Sequence, residues 1–335
     1  MKGVHVRIAT GVAVALVLAL GGCGDDDTAS PPPTGPLAEA LAGIGGGGAN
    51  GSLGVGWADP KLVEESGIGA QVIADALSPN ARSVVEQAPR LRRRFDLAPL
   101  SAERLTSVGG SYAFGLRLDG VDGRRLGRVL VAAGGRARRA GRLELVDIGD
   151  YAVVPEPLLD LDIRGLGAFD GFGRDLTVLA ISEHARDVLL GRGDRLLDEP
   201  TYRAAADCLG DVVAARMIPD KLLLSTELGI DQVAIGVKAD SEVLCVLGGT
   251  AERADEVASA LETSLAPDAR DPESGERISD SVADVEVVSD SYEGVEVVRA
   301  EATLAAGESP GFFFGTVSRG TLVGMINGGP RTFSR

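Results

Sequence analysis

Few side chains in this sequence could do chemistry. There are three cysteines, Cys23, Cys208 and Cys245, and two histidines, His5 and His184. A zinc site needs three or four His, Cys or acidic ligands at characteristic spacing, and the chain has neither a CxxC pair nor a second histidine near His184. His184 stands two residues after Ser182, in what reads as the first turn of a capped helix, so an exposed helix-surface histidine is expected. Thr316-Val317-Ser318-Arg319-Gly320 is half of a GxSxG elbow. Its first glycine is missing, and it falls between two expected strands instead of between a strand and a helix. Asp160-x-Asp162-x-x-Gly165 opens like a calcium loop but lacks the later acids and the glutamate at the twelfth position. Asp284 and Glu286 alternate along an expected strand and so share a water-facing side. The glycines from Gly43 satisfy GxGxxG, yet a dinucleotide loop follows a strand and opens a helix. Here a strand follows instead, at residues 52–57 (SLGVGW). No catalytic residue, metal ligand or cofactor is therefore assigned, although a hydrolase built from carboxylates alone would leave no sequence signature.

Cys23 is the exception, because of what precedes it. Lys2 and Arg7 give a positive start, and residues 8–20 (IATGVAVALVLAL) form an apolar run that ends in Leu20-Gly21-Gly22-Cys23. A membrane-spanning helix needs about 20 apolar residues, so this run is too short for one and reads as an export signal. Leu20-Gly21-Gly22-Cys23 resembles the lipobox of bacterial lipoproteins. That resemblance implies cleavage after residue 22, a diacylglyceryl group on Cys23, and an extracytoplasmic protein held to the membrane by lipid. Two acyl chains give durable anchoring where one is marginal. Residues 24–36 (GDDDTASPPPTGP) cannot bury a core and read as a solvated spacer. At about 3.1 Å per residue for a proline-rich chain it reaches up to ~40 Å.

Losing residues 1–22 removes Lys2 and Arg7 and no acid, so the formal net charge goes from −16 to −18. Such a chain is repelled by nucleic acid, and nothing in it has a nucleic-acid footprint. With aromatics at 4%, the core must be Leu, Val, Ala and Ile. If Cys23 carries lipid, Cys208 and Cys245 remain as an even pair in a compartment where disulfides persist. A bridge between them is expected, the alternative being two separately buried thiols.

The elements that would position these residues alternate irregularly. Helical patterns cover residues 59–94 (broken at Ser78-Pro79-Asn80), 123–133, 183–190, 200–209 and 251–265. Strands are expected at 52–57, 112–118, 142–148, 151–154, 176–181, 211–218, 232–238, 243–247, 284–288 and 295–302, and a last hairpin at 312–317 and 321–326. Runs of strands between helices, without regular βαβ alternation, argue for an α+β fold with a mixed or antiparallel sheet. The pattern restarts in the second half. The expected organisation is a signal peptide at 1–22, a lipidated cysteine with a Pro/Gly-rich tether at 23–51, and two related α+β subdomains at 52–218 and 219–335.

Charge is uneven as well. Residues 82–142 carry 14 arginines against five acids, and residues 240–302 carry 17 acids against four arginines. Complementary or separately solvated faces are the simpler expectation, with a basic surface for an anionic partner as the other. Between Phe95 and Pro219, the phrases FDLAPLSAERLTSVGG, SYAFGLRLDGVDGRRLGRVLVAAGG, LTVLAISEHARDVLLG and LLDEPTYRAAADCLGDVVAA resemble an uncharacterised class of actinobacterial envelope lipoproteins. The resemblance implies architecture and location. The expected role is that of a non-catalytic binding or scaffold protein of the envelope, engaging another envelope protein or a small apolar ligand between its subdomains. The alternative is an envelope hydrolase using carboxylates. An apolar cavity would favour the first, a cleft of converging acids the second.

Overall fold

The computed structural model describes residues 33–46, 53–109, 114–148, 169–223, 228–271 and 275–328. Cys23, the export signal, Asp160, Asp162 and the strand expected at 151–154 lie outside them. Residues from Pro31 onward form one compact unit.

In chain order the unit begins with α1 (Pro36–Ala42), β1 (Gly54–Ala58), α2 (Pro60–Glu65), α3 (Gln71–Ala76), α4 (Pro79–Glu86) and α5 (Ala88–Phe95). Next come β2 (Arg104–Gly109), β3 (Phe114–Asp119), α6 (Arg124–Ala132), β4 (Arg136–Ala140), β5 (Leu143–Asp147), β6 (Phe169–Phe172) and β7 (Leu176–Ala180). The chain continues through α7 (Glu183–Leu189), α8 (Pro200–Leu209), β8 (Ala214–Pro219), β9 (Gln232–Val237), β10 (Ser241–Leu247) and α9 (Ala251–Ser264). It closes with α10 (Ile278–Ser281), β11 (Val282–Tyr292), β12 (Val295–Leu304), α11 (Phe312–Arg319) and α12 (Leu322–Ile326).

The twelve strands of the described residues join one antiparallel sheet in the order β11-β12-β10-β9-β8-β1-β2-β3-β7-β6-β5-β4. The α+β class read from the sequence is the fold. The order also repeats. β1, β2 and β3 form a meander, the chain passes through α6, and the returning β7 pairs with β3. β8, β9 and β10 form a second meander, the chain passes through α9, and the returning β12 pairs with β10. The first strands of the two meanders, β1 and β8, pair with each other at the centre. The expected division at 218/219 therefore falls within the central strand β8, which opens the second half.

Alternation puts successive side chains on opposite faces of the sheet, and each face buries its own core. One face carries α2 to α6 and α9 to α12, with Leu91, Leu105, Leu116, Ile235, Leu244 and Phe313 buried beneath them. The other carries α1, α7 and α8 over Trp57, Val178, Ala234 and Cys245. Helix α1 lies within the expected tether. Leu37, Leu41 and Ile44 repeat on one helical side and are buried against this second core, so the chain joins the fold well before residue 51.

The hairpin expected at 312–317 and 321–326 is instead the helix pair α11 and α12. A short apolar run fits a buried strand and a buried helix equally well. Here the decision comes from far along the chain: Glu242 on β10 accepts hydrogen bonds from the backbone N–H groups of Gly311, of Phe312 at 2.9 Å and of Phe313 at 2.8 Å, fixing a helix start. At the sheet's two ends the edge strands carry opposite charge. Arg136, Arg138 and Arg139 are exposed on β4, and Asp284, Glu286 and Asp290 are exposed on β11.

Candidate functional site

Most chemistry-bearing residues occupy structural positions. Cys208 and Cys245 form a disulfide that ties α8 to β10. Beside it, Arg299 donates to the Cys208 carbonyl at 3.1 Å and pairs with Glu301, which also accepts from Lys238 Nζ and Ser241 Oγ, each at 2.8 Å. Burial works to raise the Glu301 carboxyl, but these hydrogen bonds and the Arg299 charge bring it down to about 2. His184 is exposed on α7, whose start is capped by Ser182 Oγ accepting from the Ala185 N–H at 3.1 Å. Ser318 is exposed within α11 and sits on no elbow. Asp284 and Glu286 are exposed on β11. Among the described residues no group of three or more His, Cys, Asp or Glu could hold a metal ion, and no helix is long and apolar enough to cross a membrane.

The feature with the geometry of a binding site is a cavity of about 560 Å³ over the middle of the sheet, where the two halves meet. Its floor is strand backbone poor in side chains. Gly54 and Gly56 share a face of β1, and Gly54 pairs in register with Gly109 of β2. A Cβ on Gly56 would lie 2.4 Å from the Ala76 carbonyl oxygen and 2.6 Å from Ser107 Oγ, so the α3–α4 corner can pass directly over the strand only at glycine. A Cβ on Gly109 would come within 3.1 Å of Ser78 Cβ.

The walls are apolar. Phe114 comes from β3, Ile218 from β8, Leu222 and Leu223 from the turn that follows it, and Val317, Leu322 and Val323 from α11 and α12. No carboxylate lines the cavity among the described residues; the polar contributors are Ser78, Asn80 and Arg216. Glu242 lies apart, fully buried, and serves the cavity by holding the α11 wall through the three amides of residues 311–313. Burial pushes its carboxyl above the ordinary range, while those N–H groups pull the other way.

Among the described residues, Arg216 is the one charge in the lining. It pairs in register with Gly56, so its side chain leaves the sheet beside the bare stretch of floor. The side chain is half-buried and makes no hydrogen bond or ion pair among the described residues. Asp75, an acid that acts on it, already accepts from Arg82 at 2.9 Å and from Gln71 Nε2 at 3.1 Å. Burial pulls the Arg216 guanidinium below its ordinary value; Asp75 opposes this and the Arg82 charge reinforces it. Sequence reading passed over this residue as part of an apolar strand. The available signal was a lone cation in AARMIP, flanked by residues that alternate into both cores.

Comparison with protein-family models, with curated proteins and with solved structures gives no match to this chain.

Proposed function

We propose that this chain is an extracytoplasmic lipoprotein, held to the membrane through Cys23, that binds a small apolar ligand in the central cavity and does no chemistry on it. The observation that carries the reading is the cavity itself: about 560 Å³, apolar-walled, and within the range of small-molecule sites. The absence of carboxylates from its described lining weighs against a carboxylate hydrolase acting there. Docking of another envelope protein has less behind it. Among the described residues, the exposed large hydrophobic residues, Leu100 at 40% and Val288 at 44%, lie on different elements and form no patch. The proline-rich spacer would hold the cavity close to a membrane, where apolar ligands concentrate.

The test is photolabelling of the full acylated chain in phosphatidylcholine vesicles with a diazirine-bearing dodecanol. Label in peptides spanning residues 216–223 and 317–323, lost when Val317→Trp fills the space, is the expected outcome. Label confined to the N-terminal region, and insensitive to Val317→Trp, would rule out the cavity as the site.

A further inference from the structure

We propose that the cavity accepts a single-chain amphiphile with an anionic head group, the chain lying over the glycine floor against Leu222, Leu322 and Val323 and the head group paired with Arg216. This rests on the reading of the cavity as a binding site and specifies what binds.

Three observations converge. A guanidinium at the wall of an apolar cavity, with no partner of its own among the described residues, bears a desolvation cost that an anion would offset. Ser78, which lines the same cavity, has a buried Oγ with no hydrogen-bond partner among the described residues, although its own N–H donates to Ser107 Oγ at 3.0 Å. Ser78 does not cap α4 with its side chain, so the first amides of that eight-residue helix add uncancelled positive potential at the same wall. Buried polar groups are normally satisfied, and a buried hydroxyl without a partner beside a half-buried, unpaired guanidinium marks a place where a ligand supplies the partner.

The rest of the lining sets the ligand's other end. The space is many times the roughly 30 Å³ share of one water, so a simple inorganic anion would leave most of the apolar wall uncovered. A neutral hydrocarbon would cover the wall and leave Arg216 unpaired. An acyl chain ending in a carboxylate or a phosphate monoester satisfies both, with charge-assisted hydrogen bonds at one end and apolar burial along the other.

The experiment uses the full acylated chain in phosphatidylcholine vesicles with the diazirine-bearing dodecanol as tracer. Laurate, dodecyl phosphate, dodecanol and dodecyltrimethylammonium compete against it. At least one of the two anions is expected to displace the tracer at a concentration about tenfold or more below that needed by the cation, and which anion does so separates a carboxylate from a phosphate head group. Arg216→Met is expected to abolish that advantage, anion and cation then displacing the tracer at similar concentrations, and Arg216→Lys to retain most of it. Anion and cation competing equally in the unsubstituted protein would overturn the proposal, a comparison that needs no variant to fold. So would an undiminished anion advantage in Arg216→Met. In either case, tracer still labelling the cavity would leave the apolar-ligand reading intact; tracer that labels no cavity residue would remove that reading as well.

Discussion

Glu242→Gln should loosen one wall of the cavity without touching its lining. In the native protein Oε1 accepts from the Gly311 and Phe312 amides, and Oε2 accepts from Phe313 at 2.8 Å. Glutamine can keep the first pair. Its NH₂ then faces the Phe313 N–H, so one charge-assisted bond is lost and a buried donor is stranded, a cost of about 2–4 kcal/mol. Removing a buried charge returns part of this, leaving a net loss of about 2 kcal/mol. For roughly 300 folded residues unfolding at ~2.1 cal/mol/K each, that lowers Tm by about 3 °C. The informative measurement is hydrogen exchange. If the loss is local to α11 and α12, amides across residues 311–326 should exchange about thirtyfold faster, while β8 and β9 stay as protected as before. Since burial raises the Glu242 carboxyl, the folded state holds that proton more tightly than the unfolded chain. This group's contribution to stability therefore falls as pH rises from its ordinary value through its raised one, and the variant should lack that slope. Unchanged exchange at residues 311–326 in the variant would refute the assignment of Glu242 as the anchor of the wall.

Glu301 should behave in the opposite sense. Its carboxyl is brought down to about 2, so its contribution is present above the ordinary carboxylate range and lost as pH falls through the folded value. Discounted for solvent screening, this is about 2 kcal/mol, and acid titration of Glu301→Gln by circular dichroism should show a correspondingly shallower loss. Reducing Cys208–Cys245, which are 37 residues apart, should cost about 4 kcal/mol on the chain-entropy model and lower Tm by about 6 °C. A scan with and without reductant measures this, and an unchanged Tm would show that the bridge does not constrain the unfolded chain. Gly56→Ala should destabilise by about 1–3 kcal/mol through overlap with the Ala76 carbonyl and Ser107 Oγ, read as a shift in denaturant midpoint. Gly67→Ala, where a Cβ would meet no atom within 4 Å, should cost less despite its positive φ of 71°, and equal losses would argue that contact is not the cause.

What was legible in the sequence follows from how local the deciding forces are. The helices α6, α8 and α9 carry their own signals, an apolar stripe in each with a proline at the start of α8 and the Thr250 cap at the start of α9, and lie within a residue or two of their expected bounds. Strands β7, β9 and β10 read clearly because both their faces are buried and their residues are mostly apolar, the polar Ser241 and Glu242 standing at the start of β10. Strand β4 (RARRA) carried no such signal, since an edge strand exposed on both sides needs no apolar residues. Helices α11 and α12 have the short apolar pattern of strands, and the carboxylate that starts α11 lies about 70 residues away on β10. The disulfide was found by counting, and the α+β class by element order. The cavity was invisible for a different reason: it is made by glycines at register-paired positions on strands whose starts lie 50 residues apart in sequence, and register appears only when the sheet is assembled.

The opposed charges at the two sheet edges give the protein a property that belongs to no single residue. Twelve strands at about 4.8 Å spacing put β4 and β11 on the order of 50 Å apart. Arginines exposed on one edge, where Arg138 is paired with Glu183 at 3.2 Å, and carboxylates exposed on the other then contribute a dipole component lying across the strands. A net-negative molecule of this kind is not electrostatically uniform. Over any charged surface it experiences a torque that swings one edge inward, so its rotational freedom is restricted before any contact is made, and salt relaxes that restriction as the Debye length shrinks.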